Sequence, residues 1–298
     1  MLARKLLTCL AVVAVGLLLA GPPAAVLADD HASPAALTAR LRAAIKAYEA
    51  LLKELDLNRL PGQMEGYPQV TEGLEQLGGR LEPLSRVGVQ AGEMSAEQWQ
   101  AFGAAVAAWE ADFKTLRQQA LPLRLWVRLT AQGIKRPGWG LAYAPTLRVL
   151  PREKRLLEAE VGKALELSGA PGETVAGQLV VVPLTQDLIG LRAAAGNLSG
   201  PGGLLPAAQI RVLDTIALPL PESETWDVAA LPANLQPPPP PLNLARDEVG
   251  AYLVVITLPA NLKPGLYQGA LVVTPANGGR LALTLKVTVT PPTTDAPN

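Results

Sequence analysis

The apolar residues of this chain change their period once, near residue 121, and that single change limits the folds open to it. Before it, Leu37, Leu41, Ile45, Tyr48, Leu52 and Leu55 recur at three- and four-residue spacing, which places them along one side of a helix. Ser33-Pro34 supplies an N-cap followed by proline at the first helical position, and Leu60-Pro61-Gly62 stops the helix. A second, weaker pattern runs through Leu74, Leu77, Leu81 and Leu84, although it contains Gly78-Gly79 and Pro83. A third is the clearest: Ser95 and Gln98 make a capping box, and Trp99, Phe102, Val106, Trp109, Phe113 and Leu116 form one seam. The seam is the face that three packed helices must bury, so its aromatic residues read as core.

Beyond Leu121-Pro122, Leu123 to Leu129 alternates apolar and polar residues, the two-residue repeat of a half-buried strand. Further strands are expected at 146–150, 156–167, 175–182, 189–194, 209–218, 251–258, 269–273 and 281–290. Turn residues separate them, and Asn277-Gly278-Gly279 reads as a tight hairpin built on residues that accept positive φ. The expected fold is α+β overall: an N-terminal antiparallel helical bundle over 29–120, then an antiparallel immunoglobulin-like β-sandwich over 121–290. Pro237 to Pro241, five prolines in a row, reads as a stiff spacer across a sheet edge, and 291–298 as a disordered polar tail.

The first 28 residues carry their own pattern. Arg4 and Lys5 precede an apolar run from Leu6 to Ala20, then Gly21-Pro22-Pro23, then Val26-Leu27-Ala28, which predicts a signal peptide cut before Asp29. Export places the protein in the periplasm or outside the cell. Cys9 does not follow the apolar run, which argues against lipid attachment there. Without the signal the chain has no cysteine, and its one histidine, His31, sits beside the cleavage point. Thiol catalysis, disulfides, Ser-His-Asp triads and histidine-rich zinc sites are thereby set aside, and no metal or cofactor is expected. The mature part holds 24 basic side chains (26 less Arg4 and Lys5) against 26 acidic ones, so no net field draws it to nucleic acid.

Carboxylates remain as possible chemistry. Glu153, Glu158, Glu160, Glu173, Asp187, Asp214, Glu222, Glu224, Asp227, Asp247 and Glu248 occupy the second half. A glycosidase needs two of them facing one scissile bond. Glu173 follows a Pro-Gly turn, where a carboxylate more often accepts backbone N–H groups. Asp247-Glu248 lacks the alternating acidic loop of a calcium site. For a ligand, the exposed aromatic candidates are Trp139, set between Gly138 and Gly140, and Trp226, which follows a polar acidic stretch, although packing over a sheet edge is the stronger reading of each. Tyr252 and Tyr267 lie in or beside strands and read as core.

Four segments in order, Tyr143–Pro151, Ala170–Val182, Leu205–Val212 and Tyr252–Val273, carry a resemblance. They are similar to the β-sandwich that precedes the catalytic barrel in glycoside hydrolase family 123 and related bacterial proteins. The resemblance covers about residues 123–290 and none of the helical part. Tyr252 stands where that family usually has tryptophan, and a proline run replaces its acidic-proline loop. In the family the chain continues into a barrel bearing an acidic pair, whereas this sequence ends at Asn298, so the resemblance transfers no catalytic residue. The expectation is an exported, non-catalytic accessory protein that binds a glycan or another envelope protein. A carboxylate-dependent carbohydrate-active enzyme or its remnant, and an envelope scaffold without a glycan ligand, are the alternatives.

Overall fold

The structure is a computed structural model. It describes residues 33–57, 60–62, 64–89, 94–144, 146–150, 152, 159–215, 225–227 and 241–291. The first 32 residues, with the expected signal peptide, Cys9 and His31, and also Glu153, Glu158, Glu222, Glu224, Pro237–Pro240 and the tail beyond 291 lie outside the described residues. The chain divides into two units between Val127 and Arg128.

The first unit is built on α1 (Pro34–Leu55), α2 (Tyr67–Val89) and α3 (Ala96–Gln119). The Ser33 side chain accepts the Ala36 N–H at 3.3 Å, and the capping box at α3 is closed from both sides. The two seams meet in one core, where Leu41, Tyr48, Leu55, Val106 and Trp109 are almost fully buried. α2 runs antiparallel to α3: the backbone of Gly73 approaches Leu116, and Leu77 lies at Trp109. Two polar groups come into this core with the aromatic rings and both find carbonyls of α2. The Tyr48 hydroxyl donates to Leu74 O at 2.5 Å, and the Trp109 indole N–H donates to Leu77 O at 3.0 Å. Burial pushes the Tyr48 phenol well above its ordinary range, so it stays a neutral donor. α2 forms despite Gly78-Gly79 and Pro83, because the buried Leu74, Leu77 and Leu81 outweigh weak propensity.

The strand expected over Leu123–Leu129 is a helix, α4 (Leu121–Ala131). Leu121, Leu125 and Leu129 repeat every four residues as well as every two, so a short apolar run fits either period. Leucine and arginine favour the helix, and Pro122 sits in its first turn, where no N–H is missed. Arg124 of α4 is buried and meets Glu54 of α1 at 3.0 Å.

The second unit holds two sheets. One orders β1 (Trp139–Ala144), β3 (Thr174–Pro183), β9 (Gly250–Thr257) and β7 (Ile210–Asp214) as β1-β3-β9-β7, all antiparallel. The other orders β2 (Ala164–Gly169), β11 (Leu281–Val289), β10 (Gly265–Thr274), β4 (Leu188–Ala195) and β8 (Leu242–Leu244) as β2-β11-β10-β4-β8. Two short strands, β5 (Leu198–Gly200) and β6 (Gly203–Leu205), extend the second sheet from β10. Every second residue of both sheets enters a common core, including Leu179, Val181, Tyr252 and Val254 from the first and Tyr267, Leu271, Leu285 and Val287 from the second. Among the paired strands β2 is the exception, since it runs parallel to β11.

Several strand expectations shift at their ends. The 156–167 strand begins only at Ala164, and 146–150 contributes a single bridge, Arg148 to Thr225. β1 occupies a stretch expected to be loop. β10 and β11 do form a hairpin, but it is not tight: the last pair is Val273–Leu281, and neither Gly278 nor Gly279 adopts positive φ. The Asn277 side chain holds this connection instead, accepting from Ile189 N at 3.0 Å and donating to Asp187 O at 2.9 Å.

One corner of the second sheet is built around Tyr267. Its hydroxyl donates to Lys263 O four residues upstream at 3.0 Å and accepts from Gly202 N at 3.1 Å. The β5–β6 turn lies flat on the ring: a Cβ on Gly200 would fall 2.4 Å from it. Two residues on, a Cβ on Gly269 would fall 2.6 Å from the Asn197 carbonyl oxygen, so the backbones approach closely there because the residue has no side chain.

Candidate functional site

Trp139 and Trp226 are both 4% exposed and pack against the sheets, the alternative to an open ligand face. Trp139 opens β1 opposite Pro183 and joins the core between the sheets. Its glycine neighbour serves packing: a Cβ on Gly138 would press on the Gln186 amide at 2.9 Å. Trp226 lies on the outer face of the first sheet with Leu213, Leu253 and Val255, fixed by its N–H to Leu147 O at 2.7 Å. Sequence neighbours mark a residue as loop, but they do not show which sheet face that loop will cover.

The same outer face carries Gln178, which is fully buried in β3. Its amide donates to Thr146 O and Arg148 O, both at 2.7 Å, and so straps the 146–150 segment over the sheet. Gln178→Leu leaves both carbonyls without that donor, at a cost of roughly 1–3 kcal/mol. Hydrogen exchange and limited proteolysis should then show earlier opening at 146–150; unchanged protection there would refute the strap.

The described carboxylates are spread over turns and ion pairs. Glu173 accepts Ala170 N at 2.7 Å, the turn role expected of it. Asp187 accepts Arg246 N at 2.7 Å, and Glu248 accepts Ala245 N at 3.1 Å while meeting Arg152 at 2.9 Å. Asp214 is buried at the end of β7 beside the Tyr252 phenol, whose titration burial and that carboxylate push upward. Among the described residues no group of three or more His, Cys, Asp or Glu side chains is placed to hold a metal ion.

One concave feature of the second unit is a cleft of about 600 Å³ lined by the end of β1, most of β2 and the start of β3. The chain builds it by changing sheets. Tyr143 of β1 exchanges both backbone hydrogen bonds with Glu160, at 3.1 and 2.7 Å, and the chain then passes Gly162 into β2. Gly162 lies against the Tyr143 ring, where a Cβ would fall 2.2 Å from a ring carbon. One wall is β2 from Lys163 to Ser168, and the other is Ala176 and Gly177 of β3 with Tyr143 and Leu147. Glu166 is committed to Lys286 at 2.9 Å. Lys163 is the one charged lining residue without a partner among the described residues.

The sequence signal for this cleft was partial. Leu165 and Leu167 alternate with Glu166 and Ser168 as an edge strand would, but nothing in the sequence sets Lys163 apart from other lysines. An unpaired strand side is a property of its neighbours in space, and periodicity does not carry it.

Fold and cleft together define a chain of four described helices and two mainly antiparallel sheets of four and seven strands. No described helix is long and apolar enough to cross a membrane. Neither a protein-family model nor a curated protein matches the sequence. Among solved structures, a family 123 glycoside hydrolase from Clostridium perfringens, studied for glycolipid glycan hydrolysis, is a distant neighbour in fold. It has a TM-score of 0.40 and 14% identity over 52% of this chain and 28% of that one. An ASH/PapD-like domain of human CEP192 matches with a TM-score of 0.28 and 14% identity, over 44% of this chain and 83% of that one. A protein of unknown function from Porphyromonas gingivalis W83 matches with a TM-score of 0.27 and 14% identity, over 45% of this chain and 48% of that one. The chain thus spans about a quarter of the first of these and about half of the third.

Proposed function

We propose that this is an exported, non-catalytic binding protein whose two-sheet unit is an immunoglobulin-like module, of the kind attached to glycoside hydrolases, that contacts a glycan or a partner protein. The observation that carries this reading is the cleft beside β2: it is large enough for a chain-like ligand and lined by small residues, by Tyr143, Leu147, Leu165 and Leu167, and by Lys163, which has no partner among the described residues. Among the described residues its single carboxylate, Glu166, is bound to Lys286, and no second described carboxylate lines the cleft. Hydrolysis of a glycosidic bond needs two such groups across the bond. The Tyr267 corner supports the immunoglobulin-like class, since a tyrosine that bonds back to backbone a few residues upstream recurs in those sandwiches.

Export predicts that the mature protein recovered outside the cytoplasm starts at Asp29; N-terminal sequencing that begins at Met1 would contradict it. For binding, the mature chain is applied to a glycan array and assayed for hydrolysis of amino-sugar substrates. Retention without turnover is expected, weakened by Lys163→Glu. Turnover that a single Asp or Glu substitution abolishes overturns the non-catalytic reading. Absence of any glycan retention assigns the cleft to a protein partner.

A further inference from the structure

We propose that the cleft accepts an extended segment of a partner protein as an added β-strand along β2, with an acidic side chain at the end next to Lys163. The inference rests on the binding reading above and names the kind of ligand that fits it.

Among the described residues β2 hydrogen-bonds to β11 alone, in unbroken register from Ala164–Thr284 to Gly169–Val289. A strand bonded on one side turns alternate peptide N–H and C=O groups to the other. Residues Lys163 to Ser168 line the cleft consecutively, so that side of β2 faces into it. Neither a proline nor a bulge interrupts these residues, two of the devices by which edges are usually blunted.

The opposite wall is a second open edge. β1 stops pairing at Ala144–Gln178, whereas β3 begins four residues earlier at Thr174 and, among the described residues, pairs there only with β9. Two unpaired edges, one from each sheet, therefore border one cleft. The donors and acceptors along β2 repeat at the spacing of a polypeptide backbone, about 3.3 Å per residue, so another strand satisfies them in series. A sugar chain has no such alternating backbone array.

The lining charges fix the orientation of the occupant. Lys286 neutralises Glu166, which leaves Lys163 as the uncompensated cation at the start of β2. A partner strand with Asp or Glu at that end complements it, whereas one with Lys or Arg there is repelled. The exposed Glu166 and Ser168 side chains alternate with Leu165 and Leu167, so the added strand follows the same inward and outward rhythm.

The test is to pan a displayed library of random ten-residue peptides against the full mature chain. Enriched peptides should alternate apolar and polar residues and carry an acidic residue near one end. Synthetic copies should slow hydrogen exchange of the Ala164–Gly169 amides. N-methylation of alternate peptide nitrogens should weaken binding by about tenfold or more, because side chains remain while ladder donors are lost. Lys163→Glu should weaken it by about tenfold. Enrichment of no peptide, equal binding of the N-methylated copies, or unchanged exchange in β2 would each overturn strand addition. A glycan that binds in the cleft and protects β2 would overturn it too, while leaving the non-catalytic reading standing. Turnover on amino-sugar substrates strikes the non-catalytic reading alone.

Discussion

Trp109→Ala should cost the helical unit about 3–5 kcal/mol, the range for removing a large buried aromatic side chain. The ring is 1% exposed, stacks on Phe113 with centroids 5.0 Å apart, and meets Tyr48 edge-on at 6.1 Å. Its removal opens a cavity at the point where α1, α2 and α3 meet and also deletes the indole hydrogen bond to Leu77 O. Domains are held by only about 5–15 kcal/mol in total, so this one change removes a large share. Urea unfolding of the mature chain, followed by far-UV circular dichroism, should show the helical transition moved to much lower denaturant. Hydrogen exchange should show lost protection in α1 to α3. Tyr48→Phe, which keeps the packing and loses one bond to Leu74 O, should cost only about 1 kcal/mol. An unchanged midpoint for Trp109→Ala would mean that the aromatic seam does not hold the unit.

Tyr267→Ala should destabilise the two-sheet unit by a comparable amount, about 3–5 kcal/mol. The side chain is fully buried in the core between the sheets, and its hydroxyl joins Lys263 O and Gly202 N across two turns. Tyr267→Phe retains the ring and should cost roughly 1–3 kcal/mol, since both backbone groups lose that partner. Gly269→Val should resemble the alanine variant, because the new Cβ would meet the Asn197 carbonyl, which is backbone and cannot swing aside as a side chain can. Thermal melts of the four proteins should therefore rank wild type first, Phe second, and Ala and Val together last. If Phe fell as far as Ala, the hydroxyl bonds and not the ring would hold the corner.

Much of the helical unit was legible in the sequence because its determinants are local. The capping box at Ser95, the N-cap at Ser33 and the seam from Trp99 to Leu116 each lie within a few turns, and each appears where expected. β9 and β10 were likewise marked by short apolar, β-branched runs and β11 by alternation, and Tyr252 and Tyr267 take their expected core positions. The failures have a common form. Leu121 to Ala131 suits two periods, and its neighbours choose the helix. Asn277-Gly278-Gly279 looks like a tight turn, but Asn277 finds partners in β4 and the segment before it. Trp139 and Trp226 look like loop aromatics, but a sheet face is available to each.

Taken by itself, the sequence determined that helices come first and strands follow, which residues must be buried for either to persist, and that cysteine and histidine chemistry is scarce. These follow from periodicity and composition, which any stretch of chain carries alone. The tertiary structure decided which strands stand side by side, that β2 lies parallel to β11 with its other side unpaired among the described residues, and that Lys163 comes to line one cleft with Ala176 and Gly177. Strand order and edge exposure depend on contacts between residues distant in sequence, and a hydrogen-bonding group left unpaired on an edge has the same chemical formula as one that is paired.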